Sequence, residues 1–451
     1  MSTRPTLARK LGLFDASMIV MGGIVGSGIF MNPYVVARAV HTPMLILGAW
    51  IAGGFVAIGG AFIYAELAAR LPDVGGQYAY IREAYHPSVA FLYGWGLLLV
   101  TQTGGMAAVS ITFAKYMLVL TGAHWPDWIV AAVALGILTI INCLGVKQGS
   151  ATQSLLMLLK IAAIAALVFC GAFLVHTTFP VWPRPDVARP PSAGIIGEPF
   201  SFGLLSAFGA AMIPVLFAYG GWQTSCFIAG EIREPRKNLP RGLLIGVSGV
   251  IVLYVSVSYV CLRTLGAVGL AATETPASTV MQLALGTTGV KLIALGITIS
   301  TLGFLSQSIL TAPRVYFAMA EDGLFFRSVA RIHPRTRVPV VAILLQSVWT
   351  IIITLSGRYE QILNYVVSMD FIFFGLSATT LFVFRRRGTG DEGGYRVPGH
   401  PFTTALFVAV CWLVVANTIY RYPSNSLIGM AILAAGVPVY FLWSRKREAA
   451  R

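Results

Sequence analysis

Charged residues are scarce in this chain. Asp, Glu, Lys and Arg together make up 11% of its 451 residues, whereas apolar residues make up 57%. Soluble domains carry about 25% charged residues, so this composition excludes a soluble globular protein. Segments of about ten residues with alternating polarity, the pattern of a transmembrane β-barrel, are also missing. A membrane protein built from helices is the class that remains.

Acidic residues are especially few, and the net charge is +15. A basic surface can bind nucleic acid, but here the basic residues are distributed by membrane side. If the chain starts in the cytoplasm and crosses at each apolar segment, 23 lysines and arginines fall inside and eight fall outside. By the positive-inside rule, this bias predicts that both termini are cytoplasmic, and it argues against nucleic-acid binding.

Cysteine is rare as well. The five cysteines lie far apart, each within an apolar segment, and none has the spacing of a zinc or iron–sulfur ligand set. The apolar segments also contain no nucleophile–base pair. The sequence therefore predicts neither an enzyme nor a metal or cofactor site.

Long apolar segments dominate the chain. A membrane-spanning helix needs about 20 predominantly apolar residues. Twelve segments qualify: 15–39, 42–70, 88–118, 128–146, 151–176, 201–231, 240–266, 288–318, 338–356, 360–385, 402–421 and 426–444. We therefore predict an all-α membrane protein with about 12 transmembrane helices in one domain, 1–451. The proline-rich loop Thr177–Glu198 separates two halves of five spans, about 12–176 and 200–386, and two extra helices follow at about 402–445.

Glycine interrupts two of the apolar segments at their centre. The first break, MGGIVGSGIF (21–30), lies in the first span, and the second, FAYGGW (217–222), lies in the sixth. Unpaired backbone is costly in hydrocarbon, so irregular chain survives there only where it lines a cavity or binds something. Matching breaks in two halves point to the binding site of a transporter. Because five is an odd number of spans, the second half is inverted relative to the first.

The helix ends at these breaks suit a zwitterion. A helix N-terminus carries about half a positive charge, so the amide groups of Ser27, Gly28 and Ile29 favour a carboxylate. Carbonyl groups left open where the preceding half-helix ends favour an ammonium group. The alternative is that small residues merely let helices pack closely, which is our interpretation of Gly22 and Gly23.

Five motifs resemble those of the amino acid–polyamine–organocation (APC) superfamily, in the same order, and the second break is most similar to its light-chain, or L-type, transporters. They are GSGIF (26–30), LPDVGGQY (71–78), FAYGGW (217–222), GEIREPRKNLP (230–240) and PRVYFAMAEDG (313–323). The resemblance implies a leucine-transporter-like 5+5 inverted repeat, with broken helices 1 and 6, that works by alternating access.

The resemblance also implies roles for the residues of the breaks. The Ser27 and Gly28 amides would bind the substrate carboxylate, carbonyls of both breaks would bind the α-amino group, and Phe217 would close over the substrate. The substrate-binding residues predicted in this way are Ile24, Val25, Gly26, Ser27, Gly28, Phe217, Ala218, Tyr219, Gly220 and Gly221.

Lys160 lies in the middle of the fifth span, where a charge costs at least about 2.5–3.5 kcal/mol. In the sodium-independent transporters that the chain resembles, a lysine at this position reaches the first broken helix and stands where sodium sits in sodium-coupled relatives. We therefore predict a coupling or structural role for Lys160. Its predicted partners are the carbonyls of 22–25 and the hydroxyls of Ser300, Thr301 or Ser306.

Asp370 is the other deep charge, in the tenth span, where the family often has a neutral polar residue. If it faces the pocket, it favours a cationic substrate side chain or takes part in proton movement. If it lies in an outer, water-filled vestibule, it does neither. Gln223, just after the second break, is predicted to line the pocket and tune selectivity.

These features predict a sodium-independent amino acid transporter of the cell (inner) membrane that exchanges small or neutral amino acids. A proton-coupled symporter, a cationic amino acid or polyamine antiporter, and a nontransporting receptor remain as alternatives. The outer loop 118–128 lacks the cysteine that joins animal light chains to a heavy chain. No disulfide-linked partner is therefore expected, and the chain is predicted to work among membrane lipids as a monomer or weak homo-oligomer.

Overall fold

The computed structural model describes residues 7–176, 178–181, 202–356, 359–390, 394–421 and 423–448. The loop predicted as the boundary between the two halves, Thr177–Glu198, lies outside these residues except for 178–181. Within the described part the chain is helical, and its β-type pairing is limited to an isolated parallel bridge between Leu11 and Ile232.

The described residues form a series of α-helices, most of which are joined by short connections. In the described residues they are α1 (Leu13–Ile24), α2 (Gly28–Val40), α3 (Pro43–Arg70), α4 (Gln77–Ala84), α5 (Pro87–Gly96), α6 (Gln102–Thr121), α7 (Asp127–Cys143), α8 (Val146–Phe173), α9 (Phe202–Tyr219), α10 (Pro235–Ala272), α11 (Pro276–Thr311), α12 (Pro313–Glu321), α13 (Val340–Ser356), α14 (Tyr359–Arg387), α15 (Phe402–Arg421) and α16 (Pro423–Glu448). A π-helical turn, Leu97–Thr101, joins α5 to α6, and a 3-10 helix, Trp222–Glu231, follows α9. Each apolar segment predicted from the sequence contains at least one of these helices.

The helices have the dimensions of a membrane protein. Seven helical stretches in the described residues are long and apolar enough to cross a bilayer. The pair α1 and α2, bent by 43° at a short break, makes an eighth. Both α7 and α13 are apolar but shorter. These lengths confirm the predicted class, an all-helical protein that crosses the membrane several times.

Two long helices bend at glycine. Gly266 in α10 and Gly286 in α11 have φ values of 66° and 60°. Glycine adopts this left-handed region without the steric cost that a side chain would add. The residues between the two bends therefore turn away from the axes of both helices.

Buried aromatic side chains surround the two glycine breaks. Trp50 of α3 meets Tyr219 and Tyr254 edge-on, with ring centroids 5.9 and 5.8 Å apart. On the other side of the second break, Trp222 packs against Phe374 of α14 at 5.1 Å. Such aromatic pairs contribute about 0.5–1.5 kcal/mol beyond the area they bury. This packing holds irregular backbone in place at the centre of the molecule.

Candidate functional site

The first break consists of the residues between α1 and α2. α1 ends at Ile24, Val25 is extended with φ −76° and ψ 100°, and Ser27 caps α2. The first amide groups of α2 have no carbonyl four residues earlier within the helix, so they stay available to a ligand. This is the N-terminal end that the sequence assigns to a carboxylate.

Three carbonyl groups of the first break accept hydrogen bonds from other helices. The Tyr254 hydroxyl donates to the Ile24 carbonyl at 3.1 Å, and the Ser300 hydroxyl donates to the Gly26 carbonyl at 2.9 Å. The carbonyl between them, of Val25, accepts from the ammonium of Lys160. A carbonyl oxygen has two lone pairs, so the Ile24 oxygen keeps one for an ammonium group. The side chains of α8, α10 and α11 thus hold the first break open.

The second break is built differently from the first. α9 ends at Tyr219, Gly221 takes a left-handed φ of 112°, and the chain continues as a 3-10 helix. The Gly220 amide donates to the Phe217 carbonyl at 3.2 Å. The sequence pattern suggests an open carbonyl at Phe217, but this hydrogen bond occupies one of its lone pairs. The Gln223 side-chain oxygen accepts from the Gly221 amide at 3.1 Å. Gln223 thus stabilises the break as well as facing the cavity beside it.

The two breaks touch each other through glycine. A Cβ atom on Gly221 would lie 2.6 Å from the carbonyl carbon of Gly23, and one on Gly23 would lie 2.7 Å from the Gly221 oxygen. No Cβ fits at such a distance from rigid backbone, and the positive φ of Gly221 excludes other residues independently. Gly23, which the sequence assigned to packing alone, is therefore also the contact between the two broken helices.

A cavity of about 190 Å³ lies where the breaks meet. Ten of the twelve residues predicted to bind substrate line it: Ile24, Gly26, Ser27, Gly28, Phe217, Ala218, Gly220, Gly221, Gln223 and Asp370. The other two do not. Val25 turns its carbonyl to Lys160, and Tyr219 packs into the aromatic cluster with Trp50.

Sequence reasoning missed the polar side chains that other helices contribute to the cavity. They are Thr101 of the π-helical turn, Gln102 and Thr112 of α6, Thr224 after the second break, and Gln307 and Ser308 in α11. The Gln307 amide donates to the Thr224 hydroxyl at 2.6 Å, and this hydroxyl donates to the Gly221 carbonyl at 2.7 Å. The available signal was an uncharged glutamine within an apolar span, which is weaker than a charge.

Lys160 is fully buried behind the first break. Its ammonium lies 2.5 Å from the Val25 carbonyl oxygen, its one hydrogen-bond partner among the described residues. Gly303 of α11 makes room for the side chain, because a Cβ there would lie 3.0 Å from the Lys160 nitrogen. The glycine therefore lets α11 approach the lysine closely enough to seal it from the lipid.

None of the three hydroxyls predicted as partners of Lys160 forms a hydrogen bond with it among the described residues. Ser300 donates to Gly26, as described above, and Thr301 donates to carbonyls of its own helix at 3.0 and 2.8 Å. The Ser306 hydroxyl has no partner among the described residues. A helical hydroxyl can donate to carbonyls of the preceding turn, as that of Thr301 does here, so sequence position alone does not identify its partner.

One end of the molecule is closed by ion pairs, and we call it the ion-paired end. Arg314 and Glu231, both fully buried, form two hydrogen bonds of 3.0 Å. The Glu231 carbonyl also accepts the Lys10 and Leu11 amides, which straps the segment before α1 to the 3-10 helix. The set is completed by Arg82–Asp322, Glu66–Arg70 and Glu66–Arg385.

Phe217 lies at the other side of the cavity. It is 42% exposed, an unusual value for a large apolar residue at the centre of a helical protein. Phe217 also lines the cavity, so part of its exposed surface faces the site. The structure thus combines an accessible aromatic side chain at the cavity with an end that is closed by ion pairs.

Comparison with known proteins agrees with this architecture. Residues 11–441 match the amino acid permease family. The serine/threonine exchanger SteT of Bacillus subtilis (strain 168) is 30% identical over 98% of this chain and 98% of its own length. The large neutral amino acids transporter small subunit 2 of Homo sapiens is 28% identical over 98% of this chain and 82% of its own. The cystine/glutamate transporter of Homo sapiens is 26% identical, with coverages of 98% and 87%.

Proposed function

Since the chain belongs to the amino acid permease family, and is therefore a multi-pass membrane transporter rather than an enzyme, we propose that it is a sodium-independent exchanger of small or neutral amino acids. The proposal includes a cell-membrane location, both termini in the cytoplasm, and twelve spans arranged as two inverted repeats of five plus two extra helices. The positive-inside bias and the order of the helices support this topology.

The observation that carries the proposal is the meeting of two broken helices at one cavity. The start of α2 offers amide groups to a carboxylate, and the carbonyls at the breaks offer acceptors to an ammonium group. An α-amino acid carries both groups on one carbon atom, so a site that offers amide and carbonyl groups around one cavity suits it. The backbone therefore recognises the part that all amino acids share.

The volume of the cavity favours a small substrate. At about 190 Å³ it is below the range of about 300–1,000 Å³ that is typical of sites for drug-sized ligands. SteT, whose name describes exchange of serine and threonine, is similar over nearly the whole chain. Serine and threonine are accordingly the first substrates to examine.

Lys160 supplies the reason for sodium independence. Its ammonium donates to the Val25 carbonyl, in the middle of the irregular segment. A bound sodium ion would use the same kind of oxygen ligand to hold the same kind of backbone. A fixed ammonium group performs that task without an ion gradient, so exchange is driven by the amino acids themselves.

Alternating access follows from the asymmetry of the two ends. In the proposed orientation, the exposed Phe217 marks the entrance to the cavity, and the ion-paired end, closed by its buried ion pair, faces the cytoplasm. Substrate would enter past Phe217, and breaking the ion pairs would open the other side. We propose that the chain does this without a disulfide-linked heavy chain, since its five cysteines are free and lie in helices.

Counterflow in liposomes containing the purified protein tests the proposal. Uptake of labelled serine should require unlabelled serine or threonine inside and should be unchanged when sodium is replaced by choline. Uptake into vesicles without internal amino acid, driven by a proton gradient, would overturn exchange and make the protein a proton symporter.

A further inference from the structure

A carboxyl group stands alone in the wall of the cavity. Asp370 of α14 is the one ionisable side chain among the described residues that line this cavity. It has no hydrogen bond or ion pair with any other described residue. Two of its neighbours along the wall are aromatic, Phe371 and Phe374. The buried cation behind the first break, Lys160, is committed to the carbonyl of Val25.

The ionised form of a carboxyl group without a counter-ion has a high free energy at such a position. An ionised group without a partner loses its hydration when the cavity closes, and the free-energy cost is removed only by a counter-ion or a proton. The α-ammonium and α-carboxylate of a substrate are engaged by the broken helices. Whatever neutralises Asp370 must therefore be the substrate side chain or a proton.

We propose that Asp370 binds the side-chain cation of a short basic amino acid, and that a proton occupies the same carboxyl when the substrate is neutral. The inference rests on the proposed exchange function and extends it to a second substrate class. The small cavity limits the chain length, so 2,4-diaminobutyrate and ornithine fit better than lysine.

The proposal fixes the charge that crosses the membrane in each direction. A basic amino acid enters with Asp370 ionised, and the carboxyl must take up one proton before a neutral amino acid leaves. Each turnover of this hetero-exchange moves one side-chain cation inward and one proton outward. Exchange between two neutral amino acids moves no net proton, because the carboxyl of Asp370 stays protonated during transport in both directions.

Among the described titratable groups on α14 and the elements packed against it, Asp370 is the one placed to bind the substrate side chain or a proton in the cavity. Its electrostatic influence reaches the buried phenols of Tyr64 in α3 and Tyr93 in α5. The remaining titratable groups on the packed helices α3, α4, α6, α15 and α16 lie away from the cavity lining; those described are Glu66, Arg70, Tyr78, Tyr80, Arg82, Glu83, Lys115, Tyr116, Cys411, Tyr420 and Tyr440. Glu66, Arg70 and Arg82 are held in the ion-paired end.

The test compares Asp370→Asn with the wild type in liposomes. Competition against labelled serine uptake is measured for 2,4-diaminobutyrate, ornithine, lysine and serine itself. Loss of a hydrogen bond between charged groups corresponds to about a tenfold to hundredfold loss of affinity. We expect Asp370→Asn to lose this much affinity for 2,4-diaminobutyrate and ornithine only. The melting temperature of the purified variant, compared with that of the wild type, reports whether it is folded. Glu274→Gln, which removes a surface acid, is the matched control, and both its competition profile and its melting temperature should equal those of the wild type.

The pH dependence and proton movement give a second readout. In the wild type, competition by ornithine should strengthen as the external pH rises, because the carboxylate form binds it. A pH-sensitive dye should report proton export when external ornithine exchanges for internal serine, and Asp370→Asn should abolish this signal. Unchanged competition by basic amino acids in the variant, or ornithine exchange without proton movement, overturns the inference. Absence of serine exchange in the wild type would instead overturn the proposed function.

Discussion

Replacing Lys160 with methionine separates its charge from its volume. Methionine has nearly the length of lysine and is apolar, so it fills the space beside Gly303 but cannot donate to Val25. The variant therefore removes the hydrogen bond by which α8 holds the first break. Its effect reports the role of the ammonium group rather than a packing defect.

The magnitude follows from that contact. A hydrogen bond from a charged donor contributes about 1.5–3 kcal/mol. Each 1.4 kcal/mol is about tenfold in affinity, so substrate binding should weaken by about 10- to 150-fold if the bond positions the break. Thermal stability should be unchanged or higher, because replacing a buried charge with an apolar residue of similar volume removes its desolvation cost.

Two measurements on the purified protein in detergent check this. The melting temperature without substrate reports stability, and its rise with increasing serine reports affinity. Lys147→Met, at an exposed position near the start of α8, is the matched control and should behave as wild type. If Lys160→Met keeps wild-type affinity and sodium-independent exchange, the reasoning about Lys160 is refuted.

Two further predictions concern the breaks and the ion-paired end. Gly221→Ala should abolish serine binding, since its Cβ would meet the Gly23 backbone at 2.6 Å, whereas Gly136→Ala, with open space around it, should bind serine normally in the same melting assay. Glu231→Met should lower the free energy of unfolding by about 3–5 kcal/mol because it leaves the Arg314 guanidinium buried and unpaired. The double variant with Arg314→Met should recover most of this loss; a double variant as unstable as the single one would contradict the account.

Hydropathy and the positions of glycine were enough to predict where the helices lie and where the first of them breaks. Each long apolar segment contains a helix because a backbone in hydrocarbon has to satisfy its own hydrogen bonds. The centre of the first break, at Val25–Ser27, was recognisable because glycine clusters there inside an apolar span. The inverted repeat and the twelve-span count stay predictions that rest on the order of these segments.

Other features of the site had no sequence signal of their own. Thr224 and Gln307 form a hydrogen bond although they lie 83 positions apart, and nothing in either segment points to the other. Tyr254 looks like any buried tyrosine, yet its hydroxyl holds the Ile24 carbonyl. Hydroxyl and amide groups are common in helices, so their partners depend on which faces the helices turn toward each other.

The sequence by itself determined that this protein is helical, spans the membrane, and breaks two helices at glycine, because these properties follow from local composition and backbone conformation. It also marked Lys160 and Asp370 as deep charges, since a charge in an apolar span is conspicuous wherever it points. Only the tertiary structure decided that Lys160 faces a backbone carbonyl, while Asp370 faces the cavity and has no partner among the described residues. That difference arises from the packing of α8 and α14 against distant helices, which no local pattern encodes.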